Sequence, residues 1–141
     1  MPSSKTTDLF AIRCENKYYQ LEEMEDKENS TTELFLNEDR TVSFGDTDGP
    51  MPSSVRGSWN VKPGANDFTM EIYRTFETGN GGTDVGEFEF SVDRIFTGEM
   101  TEVGESVAIT GVMHDLENKD VGYFNMIDAT AERAGLDKRV P

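Results

Sequence analysis

Cysteine, histidine, basic residues and long apolar runs are all scarce in this chain, and each scarcity removes a class of protein. Cys14 is the only cysteine, so no disulfide can form within the chain and nothing points to an oxidising secretory compartment. Stability must therefore come from a core. Basic residues number 13 against 28 acidic, a net charge of -15, and a field of that sign repels phosphate backbones and anionic lipid surfaces. Nucleic acid is thus not an expected partner. No run approaches the roughly 18 apolar residues of a membrane span, so membrane insertion is not expected. Met1 to Ala11 has neither the apolar stretch of a signal peptide nor the arginine-rich amphipathic character of a transit peptide. If the protein is imported into an organelle, the sequence reads as a mature form. Only 35% of the residues are hydrophobic, but they are grouped periodically rather than scattered as in a disordered chain.

What is present is alternation. In Phe68 to Phe76 apolar side chains recur at alternate positions, the pattern of a half-buried antiparallel strand. Similar segments span Tyr18 to Met24, Thr31 to Leu36, Thr41 to Phe44, Gly57 to Val61, Val85 to Phe96, Val107 to Met113 and Val121 to Ile127, with a further candidate at Leu9 to Arg13. Turns are expected at Glu25 to Ser30, Asn37 to Arg40, Lys62 to Asn66, Thr78 to Thr83, around Gly98, and at Asp115 to Lys119. Gly45 to Pro52 is expected to interrupt regular structure. The reading is an all-β domain over residues 9–130, a single antiparallel meander of about eight strands. It is barrel-like in preference to a two-layer sandwich, because closure disposes of exposed edges. Met1 to Asp8 and Ala131 to Pro141 read as tails, and Ala129 to Leu136 is the sole helical candidate, short and charged.

The chemistry-bearing residues give no site. Asp46-Thr47-Asp48-Gly49 begins like a calcium loop, but Pro50 stands where a third oxygen ligand is needed and no closing glutamate follows, so it reads as an acidic turn. His114, the only histidine, sits beside Asp115 at a strand end, where a surface pair is the ordinary role. Ser58, Ser91 and Ser106 lack a nucleophile elbow, and Cys14 lacks the surroundings of a thiol enzyme. Gly79 to Gly82 has no phosphate-loop lysine and precedes a strand. Catalytic, cofactor and metal residues are accordingly expected to be none. Trp59 reads as a core plug near a barrel end in preference to an interface anchor or a ligand-stacking platform. Arg74 and Arg94, at matched positions on two strands, either face the lumen, where they would suit an anionic head group, or point outward as salt-bridge partners; the sequence leaves both open.

Leu34 to Val42, Gly49-Pro50, Gly57-Ser58-Trp59, Phe68 to Phe76 and Val121 to Ile127 together resemble a group of small plastid proteins of diatoms and related red-lineage algae. That group includes a non-catalytic accessory subunit on the stromal side of photosystem I with its fucoxanthin-chlorophyll antenna. The likeness spans Tyr18 to Thr130 and rests mostly on fold-making residues. It implies a peripheral protein at the stromal face of the thylakoid membrane, docked on photosystem I core subunits and carrying no pigment ligand of its own. The alternative is a lipocalin-like carrier of a small hydrophobic ligand, which requires a hollow barrel lined by Trp59, Phe68, Met70, Ile72, Phe88 and Phe90. A weaker reading, an isomerase or hydrolase in the barrel mouth, has only His114, Arg74, Arg94 and scattered carboxylates behind it. Outside the plastid, a soluble intracellular protein is expected.

Overall fold

A computed structural model describes residues 14–62, 66–78, 88–104 and 106–130. Eight strands are the regular elements among them: β1 (Lys17–Glu25), β2 (Glu28–Leu36), β3 (Val42–Thr47), β4 (Ser54–Val61), β5 (Asp67–Thr78), β6 (Phe88–Val103), β7 (Ser106–His114) and β8 (Asp120–Asp128). They form one antiparallel sheet in the order β3-β2-β1-β8-β7-β6-β5-β4. Pairing of β1 with β8 rolls the meander into a nearly closed barrel, as the sequence pattern predicts. The candidate strand at Leu9 to Arg13, the Thr78 to Thr83 tip beyond its first residue, and the tails lie outside the described residues, as does nearly all of the helical candidate.

Alternation decides which side chains point inward. Along β1, Tyr19, Leu21 and Glu23 are buried between exposed Gln20, Glu22 and Met24. Along β5, Phe68, Met70 and Ile72 follow the same rule. With Trp59, Phe96, Ile109, Phe124 and Met126 they make one apolar cluster, and each fully buried side chain of this size contributes about 1.5–3 kcal/mol. The lumen is filled with side chains at this level, the expected state of a small eight-stranded barrel.

Three expectations are corrected. The first hairpin turn is not a six-residue acidic loop. β1 and β2 pair as far as Glu25 and Glu28, leaving Asp26 and Lys27, both with positive φ, as a two-residue turn. Gly45 does not end β3, which runs on to Thr47. Gly98 is no turn either, because β6 passes straight through it to Val103. Gly98 stands opposite Gly111 of β7, and a Cβ on Gly111 would lie 1.9 Å from the Thr97 carbonyl oxygen. The pair thus serves close approach of two backbones inside a strand, a use of glycine that composition cannot separate from a turn.

β3 and β4 are neighbours in sequence yet barely paired. Their link is a single bridge between Thr41 and Ser58. At that end the turn after β2 clamps Trp59: its N–H donates to the Arg40 carbonyl at 2.9 Å, its indole Nε1–H donates to the Asn37 carbonyl at 2.9 Å, and the Arg40 guanidinium lies 4.6 Å from the ring centre. Trp59, only 2% exposed, is the core plug the sequence indicates. Toward the other end of the barrel the two strands part, and the connection Asp48 to Ser53 spans the gap.

Candidate functional site: the barrel mouth

The parted end of β3 and β4 opens a cavity of about 450 Å³. Its walls come from Phe44 on β3, Pro50, Met51 and Pro52 in the connection, Val55 on β4, Phe76 on β5, and Phe90 and Val92 on β6. Phe76 and Phe90 are register partners whose rings stack at 5.4 Å. Alternation extends the inward face of β5 and β6 past the core, so these two rings project over the mouth. Gly57 permits the inner wall, since a Cβ there would come within 3.1 Å of the Phe44 ring.

The floor is charged. Arg74 of β5 reaches across the barrel to Glu23 of β1, a strand it does not pair with, and donates through Nη1 at 3.1 Å and Nη2 at 2.8 Å to the two carboxylate oxygens. Beside it Arg94 of β6 reaches Glu25 of β1 through Nε at 2.9 Å and Nη2 at 2.6 Å, and donates its Nη1–H to the Asp93 carbonyl. Both are two-point guanidinium–carboxylate pairs, the strong form of this interaction. The hydrogen bonds from Arg94 to Glu25 raise the guanidinium pKa further, against the opposing effect of burial. The arginines therefore face inward, each neutralised by a glutamate. The partners Glu23 and Glu25 were not singled out in the sequence, although both sit at the inward phase of β1 set by Tyr19 and Leu21, as Arg74 and Arg94 sit at the inward phase of β5 and β6.

The aromatic–cation contacts fall elsewhere than Arg74 and Arg94. Arg56 lies 4.6 Å over Tyr73 on the outer face, and Arg40 covers Trp59. His114 does not line the mouth cavity. Its Nε2 is 3.0 Å from Thr97 Oγ1, and its Nδ1 lies 2.9 Å from an Asp120 carboxylate oxygen without hydrogen-bond alignment. Asp120, not Asp115, is thus the acid beside it. The Asp115 carboxylate instead accepts the Glu117 and Lys119 backbone N–H groups at 2.9 Å each, which hold its pKa below the usual range.

In the segment that begins like a calcium loop, Asp48 accepts the Thr31 N–H at 2.7 Å, and Thr47 Oγ1 meets Thr32 Oγ1 at 2.9 Å. These contacts give it a structural role, tying the end of β3 and the start of the connection to β4 onto β2. Among the described residues no three metal-ligating side chains converge. Ser58, Ser91 and Ser106 lie on separate strands, β4, β6 and β7. Cys14 is fully buried against Met100, its carbonyl accepting the Tyr19 hydroxyl at 3.0 Å, and burial pushes its thiol pKa up to about 12. A thiol held protonated in this way is a poor nucleophile.

Among the described residues no helix is long and apolar enough to cross a membrane. Compared with known proteins, the chain matches no family model, no curated protein and no solved structure.

Proposed function

We propose that this protein is a non-catalytic accessory subunit of photosystem I, docked by protein–protein contacts at the stromal face of the thylakoid membrane, as the resemblance in its sequence implies. The observation that carries the reading is a set of exposed apolar side chains on the outer face of β8. Tyr123 is 65% exposed and Ile127 52% exposed, and Met24 of β1, the register partner of Tyr123, is 45% exposed. Val112 of β7 flanks Tyr123 on the other side. β8 coincides with Val121 to Ile127, one of the segments that bear the resemblance.

Aromatic and methionine side chains of this kind are enriched at the centres of protein interfaces. The chain's net charge of -15 favours a basic partner surface and speeds encounter with it. A filled lumen is coherent with a protein that acts through its outside.

The test is an affinity pull-down of the tagged protein from gently solubilised diatom thylakoids, with mass spectrometry of what is retained. Recovery of photosystem I core subunits is expected, falling about tenfold for the double variant Tyr123→Glu, Ile127→Glu. An eluate without photosystem subunits overturns the reading, and undiminished recovery by the double variant overturns the docking face.

A further inference from the structure

We propose that the mouth cavity is a binding site for a small, uncharged, largely apolar molecule, distinct from the outer-face docking surface and independent of it. Three observations place it there. The first is size: about 450 Å³ lies within the roughly 300–1,000 Å³ of small-molecule sites. The interior next to it is packed with side chains, so the space for a guest is at the mouth and not in a hollow lumen.

The second is the wall. Phe44, Val55, Phe76 and Val92 present apolar surface, and two large apolar side chains at the rim stand in solvent, Met51 at 77% and Phe90 at 46% exposure. Such surface is unfavourable while it faces water. A guest seated between the stacked Phe76 and Phe90 rings and the connection from β3 to β4 removes that exposure.

The third is charge, and it selects the class of ligand. Among the described residues the only cation in the cavity wall is Arg74, and Glu23 already engages two of its nitrogens. An anionic head group must displace that carboxylate, stranding Glu23 in a largely buried place, and must approach past Glu25, Asp26 and Glu28, which line the adjoining rim. An uncharged molecule meets neither obstacle, and Ser30, Thr32 and Thr47 in the wall offer hydroxyls to a carbonyl or hydroxyl on it. The inward arginines therefore do not mark a site for a fatty acid or another anion; their glutamates turn the site toward neutral guests.

The experiment is a fluorescence titration with two probes that share one aromatic body, uncharged N-phenylnaphthylamine and anionic anilinonaphthalene sulfonate. Saturable binding of the uncharged probe is expected, with the sulfonate at least tenfold weaker. Trp59, four residues along β4 from Val55 and so about 13 Å away at the rise of a strand, supplies energy transfer that reports the probe's position.

Val92→Trp, which fills the cavity, is expected to abolish binding while circular dichroism stays unchanged. Glu23→Gln, which leaves Arg74 unpaired, is expected to reverse the preference toward the sulfonate. No saturable binding of the uncharged probe to the wild-type protein overturns the proposal even if Val92→Trp fails to fold. So does equal affinity for the sulfonate, and so does undiminished binding in a folded Val92→Trp variant.

Discussion

The two ends of the barrel solve the same problem differently. At the end where β1 begins, the lumen is stopped by apolar side chains, with Tyr19, Leu36, Phe68 and Met100 all 4% exposed or less. The seam there is pinned through Trp59. At the other end the inward positions of β1, β5 and β6 carry charges, and the barrel is braced by the Arg74–Glu23 and Arg94–Glu25 pairs. Apolar packing closes an end completely but leaves it no chemistry. Ionic struts hold opposite walls at a fixed span while leaving the seam beside them open.

The sharpest way to break the comparison is to excavate the closed end. Phe68 is fully buried, with its ring stacked 6.4 Å from that of Trp59, and Phe68→Ala is expected to cost about 3–5 kcal/mol in denaturant unfolding. An equal loss on truncating Phe90, half-exposed at the mouth, would erase the distinction between the ends.

Next in size are the struts. Glu23→Gln leaves Arg74 partly buried and unpaired, and is expected to cost about 3 kcal/mol, the lower end of the range for a broken buried pair. Glu25→Gln acts on a pair whose carboxylate side is 30% exposed and is expected to cost under about 1 kcal/mol. Denaturant titration of the two variants, with a double-mutant cycle through Arg74→Met, checks the order; replacing both members of the Glu23–Arg74 pair is expected to recover most of the loss.

Between the two struts in size is an effect of pH. The closed end buries two neutral acids: burial raises the Cys14 thiol pKa to about 12 and carries the Tyr19 phenol pKa well above its ordinary value. In both cases the folded protein keeps a proton that the unfolded chain releases. Their stability contribution is therefore complete below the unfolded pKa of each group and declines as pH rises from there toward the folded value. For Cys14 alone the loss is about 2 kcal/mol by pH 10, taking an unfolded pKa near 8.5. Unfolding free energies at pH 8 and pH 10, in the wild-type protein and in Cys14→Ala, measure it; a variant as alkali-sensitive as the wild type would remove Cys14 from the account.

How much of this the sequence made legible follows the same division. The closed end could be read from period-two alternation, because apolar residues at one phase of a strand have one place to go. Gly98 could not, since a glycine needed for close approach and a glycine needed for a turn leave the same letter. The struts fell between the two cases. Arg74 and Arg94 occupy the apolar phase of their strands, and so do Glu23 and Glu25 on β1, but phase and charge argue opposite directions for any one of them. The conflict resolves when the acids and the bases are paired across the lumen, a juxtaposition set by the closure of β1 on β8. The cavity was not legible at all, because it is the space left by two sequence neighbours that do not pair.

That unpaired seam has a mechanical consequence. A cylinder stitched along seven joints and tacked at one point along the eighth has a single place to breathe. Spreading β3 from β4 beyond Thr41 and Ser58 breaks no ladder between them, so the mouth can widen at little enthalpic expense while the seven stitched joints stay whole. The barrel behaves as a stiff sleeve with a slit, and a molecule entering sideways through the slit need not wait for the protein to unfold.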